Sequence, residues 1–150
     1  MYEGEQLKYG WVGGGKVSRP VVSYASTFAD GSGKFVYMNA GVATLCDDGT
    51  SRIYGFLESE AQTVSSGEKL NCIIDLTAIF RVKIITGTFL AAMIGDHGDL
   101  DISSDVQGVD LTATGQDHII YVDGDVDNSK WADVMMNPAV WGTGVDIGGS

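Results

Sequence analysis

From Leu70 to Ile84 every even position is apolar: Leu70, Cys72, Ile74, Leu76, Ala78, Phe80, Val82 and Ile84. The odd positions, among them Asn71, Asp75, Thr77, Arg81 and Lys83, are mostly polar. A period of two places one side of an extended chain against a core and leaves the other wet. The run of 15 residues exceeds the ~3–10 of an ordinary strand. A bent strand, or two strands joined near Thr77, is therefore expected, and long coiled strands suit small barrels. Shorter apolar runs lie between turn signals at Asp30-Gly31, Asp48-Gly49, Ser66-Gly67 and Asp123-Gly124, pairs that tolerate positive φ. They predict further strands near 17–23, 34–38, 41–46, 51–57, 109–113, 117–122 and 130–136, with the long run divided into 70–76 and 79–84. The run Thr88–Ile94 (TFLAAMI) is the one helix candidate, with Thr88 placed to cap it and Gly95 to end it.

The expected fold is mainly β: a small β-barrel or sandwich with one short helix at about 88–94 and extended glycine-rich termini. Residues 1–16, with Tyr2, Tyr9 and Trp11 among glycines, follow neither period and read as an extended arm. Residues 17–140 read as a single β domain, and 141–150, WGTGVDIGGS, as a flexible tail. No repeat of constant period argues for a solenoid or propeller.

Composition sharpens this. The chain of 150 residues is 44% hydrophobic and 19% charged, which is globular composition. Its 21 glycines against two prolines imply many tight turns. Twenty acidic against nine basic residues give a net charge of −11, which repels phosphate backbones and anionic lipid, so neither nucleic acid nor membrane is an expected partner. The N-terminus lacks the basic and apolar regions of a signal peptide, and no apolar run reaches the ~20 residues that span a bilayer. Cys46 and Cys72 fit no metal pattern and are expected as reduced, buried thiols.

Each candidate for chemistry meets a plainer reading. Gly10–Val17 (GWVGGGKV) nearly spells a phosphate-binding loop, but Val17 stands where Ser or Thr would hold Mg²⁺, no apolar strand precedes it, and Pro20 opposes the helix that should follow. Asp123, Asp125 and Asp127 alternate as in a calcium loop, yet Asn128 and Val134 stand where the pattern needs Gly and Glu. A solvated acidic turn is the preferred reading there and for Asp96, Asp99, Asp101 and Asp105, so no metal and no cofactor is expected. His97 reads as a turn residue and His118 as a strand end, neither with a ligand partner at a recognised spacing. Without a nucleophile elbow, a zinc motif or a dinucleotide fingerprint, no enzyme is expected. Tyr9, Trp11 and Trp141, set among glycines near the ends, together with Lys16 and Arg19, are the interface candidates. Trp131, inside a predicted strand, is a core candidate.

Two segments resemble the head decoration, or cement, proteins of tailed bacteriophages. The first, Phe35–Ser59 (FVYMNAGVATLCDDGTSRIYGFLES), runs from an apolar strand through Gly41-Val42 and the Asp48-Gly49 turn to a strand ending at Gly55. The second, Val106–Pro138, closes on Trp131, Val134 and Asn137-Pro138 and is similar to the C-terminal part of such proteins. The resemblance covers about half the chain. It implies a small β-barrel protein, often a homotrimer, on the outer capsid surface of a virion assembled in the host cytoplasm, where it clamps neighbouring major capsid subunits. The glycine-rich arm departs from the shortest members. The competing expectation is a carbohydrate- or receptor-binding β-domain of a phage fibre or surface protein, with Trp11 or Trp141 stacked on sugar rings and the acidic loops holding calcium. A small hydrolase, the third class, has no motif behind it.

Overall fold

A computed structural model describes residues 9–59, 62–113 and 115–142. The protein is mainly β. Five strands close into a barrel: β2 (Ser18–Ser23), β5 (Val42–Leu45), β4 (Phe35–Asn39), β6 (Gly55–Leu57) and β8 (Lys69–Ile73), in that order, with β8 returning to β2. A second sheet runs β1 (Gly10–Gly13), β9 (Ile79–Thr86), β11 (Val106–Asp110), β10 (His97–Ser103), β12 (Ile119–Gly124) and β13 (Trp131–Met136). In it β13 also pairs with β9, from Trp131↔Lys83 to Val134↔Phe80, so β9 to β13 return upon themselves as well. A two-stranded ribbon, β3 (Ser26–Thr27) with β7 (Thr63–Val64), completes the pairing.

The alternating run from Leu70 to Ile84 is the join between the two sheets. It divides into β8 and β9 at a turn where Ala78 N–H donates to Asp75 O at 3.0 Å. Asp75 Oδ1 also accepts from Thr77 N at 2.9 Å and Thr77 Oγ1 at 2.7 Å, which holds the Asp75 carboxyl below its usual range.

Two clusters of buried side chains form the core. One, inside the barrel, contains Val21, Val36, Ala43, Leu57 and Cys72, with Phe28 and Val64 from the ribbon side. The other draws on both sheets. Phe35 and Phe56, partners across β4 and β6, meet Phe80 of β9 with ring centroids 4.6–5.0 Å apart. Pairs with this spacing are favourable beyond the area they bury. Gln107 of β11, fully buried, crosses the same seam: Oε1 accepts from Phe35 N at 2.8 Å, and Nε2 donates to Phe35 O at 2.8 Å and Cys46 O at 3.0 Å. Both cysteines are buried free thiols, and burial pushes both up, Cys72 to about 12.

Several expectations change in the folded chain. The helix expected over 88–94 reduces to one 3₁₀ turn, Ala91–Met93. Seven residues are too few for a stable α-helix, and Phe89 is drawn into the core beside Tyr121, with its N–H satisfied by Ser129 Oγ at 2.8 Å. Leu90 stays extended, and no side chain caps the turn. Of the expected arm, residues 10–13 form β1 on the edge of β9, and residues 1–8 lie outside the described residues. Of the expected tail, Trp141 bridges Ile53, and 143–150 lie outside the described residues. His97 begins β10 rather than sitting in a turn. Asp99 and Asp101 lie on β10, and Asp99, 2% exposed, accepts from Gln116 N and Asp117 N. That aspartate anchors a loop and is not solvated.

Candidate functional site

The expected interface residues divide into those the fold gathers and those it separates. β1 lies antiparallel along β9, Gly10 opposite Arg81 and Trp11 opposite Phe80. After it the chain turns tightly over the Asp75–Ala78 turn. Gly14 has φ +76°, and a Cβ there would lie 2.0 Å from Thr77 O, so only glycine allows this approach. The fold brings the Lys16 ammonium 5.0 Å from the centroid of the Trp11 ring and 3.2 Å from Glu58 Oε2. Trp11 Nε1 donates to Gly15 O at 3.0 Å, and Ser18 Oγ to Glu58 Oε1 at 2.8 Å. The Gly10–Val17 segment is thus strand and turn followed by a further strand, without the helix a phosphate loop requires.

The result is a cleft of about 300 Å³ lined in part by Tyr9, Trp11, Lys16, Lys34, Phe56 and Glu58. Lys34 donates to Ser59 O and lies 5.1 Å from the Phe28 ring. A belt of cations and rings continues beside the cleft. Lys83 sits 5.7 Å from the Tyr9 ring, and Arg81 stacks 4.0 Å over Trp131 while it holds Asp133 through two hydrogen bonds of 2.7 and 2.9 Å. Burial raises the Tyr9 phenol above its usual range, against the opposing pull of Arg81. Trp11 remains 39% exposed. On a chain of net charge −11, this gathering of lysines and rings stands apart from its acidic surroundings.

Tyr9, Trp11 and Lys16 therefore converge. Arg19 is exposed on β2 and outside the cleft lining. Trp141 stacks on Tyr54 at 5.6 Å, donates from Nε1 to Tyr54 O at 2.7 Å and packs against the second core cluster. Two aspartates of the acidic turn serve the backbone: Asp123 Oδ1 accepts from Gly124 N, and Asp125 accepts from Asn128 N and Lys130 N. Among the described residues no three His, Cys, Asp or Glu side chains come together as a metal site. Sequence reasoning missed Lys34, Phe56 and Glu58, which reach the cleft from other parts of the chain and carry no local signal.

Fold and cleft define a mainly β protein built on a closed five-stranded barrel, with a cation-and-aromatic cleft where its first described strand meets the body. No family model, no curated protein and no solved structure matches the chain.

Proposed function

We propose that this chain is a structural virion protein that binds the outer surface of a phage capsid and reinforces the lattice of major capsid subunits. The observation that supports this reading most is the convergence of Tyr9, Trp11 and Lys16 in one cleft at the root of the N-terminal segment. Large aromatics beside a cation are what a protein interface uses as anchors. They are carried by β1 on β9 of the second sheet and by the residues flanking β1, and the closed barrel supplies Phe56, Leu57 and Ile73 on the other side of the cleft. Repetition around a shell multiplies a modest single contact through avidity, and the resemblance to decoration proteins implies a protein that is often a homotrimer.

The test is cosedimentation of the chain with undecorated, expanded heads. Trp11→Ala combined with Lys16→Glu should weaken binding by about 30-fold or more, since truncating an anchoring Trp costs about 2 kcal/mol or more. Equal binding of the double variant would remove the cleft from the contact, and heads left bare at saturating protein would end the proposal. One observation favours a second reading: the half-exposed Trp11 beside Lys16 and Glu58 could also receive a sugar. Binding of free glycans by the isolated protein, with no binding to heads, would select it.

A further inference from the structure

His118 is fully buried between strand β10 and the turn that joins β5 to β6, and both of its ring nitrogens have backbone partners. Nδ1 accepts from Leu100 N at 2.9 Å, and Nε2 donates to Thr50 O at 2.6 Å. The Leu100 amide can only donate and the Thr50 carbonyl can only accept, so the form that fits is the neutral ring with its proton on Nε2. A second proton would sit on Nδ1 and point at an N–H. The charged groups that face the ring pull the other way: Asp47 from the turn, Asp99 from β10 and Asp117 beside it all favour a proton there. Their carboxylates are engaged elsewhere, Asp99 with the Gln116 and Asp117 amides and Asp47 with Gly49 N. The ring thus sits where a proton is attracted and has no place to bond. The turn is anchored on either side of this contact, since Gln107 Nε2 holds Cys46 O and Ile53 N donates to Val140 O. Between those anchors its ties to the second sheet run through His118 and through Gln116 Nε2, which donates to Asp48 O at 2.8 Å.

We infer that His118 is an acid-released latch: uptake of a proton drives its ring from the seat between Leu100 and Thr50 and frees segment 47–52, while the strand pairings around it stay closed. Burial of the ring opposes its charged form, which keeps the latch shut at neutral pH. The freed ring titrates near the ordinary 6.5. Below that pH the open form becomes about tenfold more populated per pH unit, until the pH reaches the lowered value of the seated ring. The latch belongs to the chain alone and holds whether or not the chain binds capsids.

The experiment is amide hydrogen exchange followed by NMR on the full chain, from about pH 7.5 down to about pH 5, with each rate divided by its intrinsic rate. The Leu100 amide and those of segment 47–52 should lose protection by up to about tenfold per pH unit below 6.5. The amides that pair β9 with β13 should keep theirs. His97→Gln, which removes the other histidine of the chain, should leave that dependence unchanged, and His118→Gln should abolish it. If His118→Gln fails to fold, the imidazole nitrogen resonances of the parent replace it, and they should show Nδ1 gaining its proton as Leu100 protection falls. Leu100 protection that stays flat across the range overturns the latch, as does a dependence that survives in His118→Gln. A ring protonated on Nδ1 with Leu100 still protected overturns it too, and so does loss of protection by the β9 and β13 amides in step with Leu100.

Discussion

Ala40 and Gly41 close the β4–β5 hairpin between the paired residues Asn39 and Val42, with φ of +51° and +83°. Two positive φ values in a two-residue loop are the type I′ turn that fits strand twist, and its first position favours Asn, Asp or Gly. An alanine there holds a strained conformation worth about 1 kcal/mol. Ala40→Asn should therefore stabilise the fold by roughly 0.5–1 kcal/mol in denaturant unfolding, and an unchanged or lower midpoint would contradict the turn. Gly55 is the opposite case. A Cβ there would lie 2.4 Å from Cys72 Sγ and 2.6 Å from Ile73 O, so Gly55→Ala should cost about 1–3 kcal/mol in the same assay. Turn residues of this kind were legible in part. Asp48-Gly49 does form a turn, with Gly49 N donating to Asp47 Oδ1 at 2.9 Å, whereas Asp123-Gly124 ends β12. Glycine there answers to a neighbouring ring, Phe89, which local sequence does not name.

His118 ties the 47–50 turn to the second sheet. Its Nδ1 accepts from Leu100 N at 2.9 Å, so the proton sits on Nε2, which donates to Thr50 O at 2.6 Å. Burial lowers its pKa below the ordinary 6.5, outweighing the Thr50 hydrogen bond and the opposing pull of Asp99, Asp47 and Asp117. The unfolded chain then binds a proton at a pH where the folded chain does not. The stabilisation is complete above about pH 6.5 and declines as pH falls toward the folded pKa, by at most about 1.4 kcal/mol per pH unit. His118→Gln should flatten the stability profile just below pH 6.5, and a parental slope retained in that variant would assign the dependence elsewhere. Gln107 ties the sheets at the other side of the seam. Gln107→Leu leaves Phe35 N and Cys46 O without their partner and Phe35 O with Cys46 N alone, and should cost about 2 kcal/mol or more by denaturant unfolding. Periodicity made β8, β9 and the break near Thr77 legible, since one wetted face per strand writes itself into the sequence. It failed at β10, where His97, Asp99 and Asp101 look like an acidic turn because the partners that satisfy Asp99 lie 17 and 18 residues away. It failed at Thr88–Ile94 because an apolar run at a sheet end has the composition of a helix without the length.

For the whole molecule, strand content and a barrel were legible, but the closure of strands into rings was not. Each ring depends on pairs remote in sequence, such as Ser18↔Ile73 and Trp131↔Lys83, and alternation says which face a residue occupies without naming its partner. The cleft had the same fate. Tyr9, Trp11 and Lys16 were recognisable as aromatics and a cation among glycines, whereas Lys34, Phe56 and Glu58 join them only through barrel closure. The net charge of the chain is −11. Exposed acidic groups repel at long range and salt screens them, so association of the chain with any charged partner depends on ionic strength. Binding of the proposed capsid surface is tested by electron cryomicroscopy of undecorated, expanded heads saturated with the full chain. Ordered density is expected at the symmetry junctions of the outer surface, with the Trp11 cleft turned toward the major capsid subunits. Heads that remain bare, or density in which the cleft faces solvent while other surfaces make every contact, would contradict it.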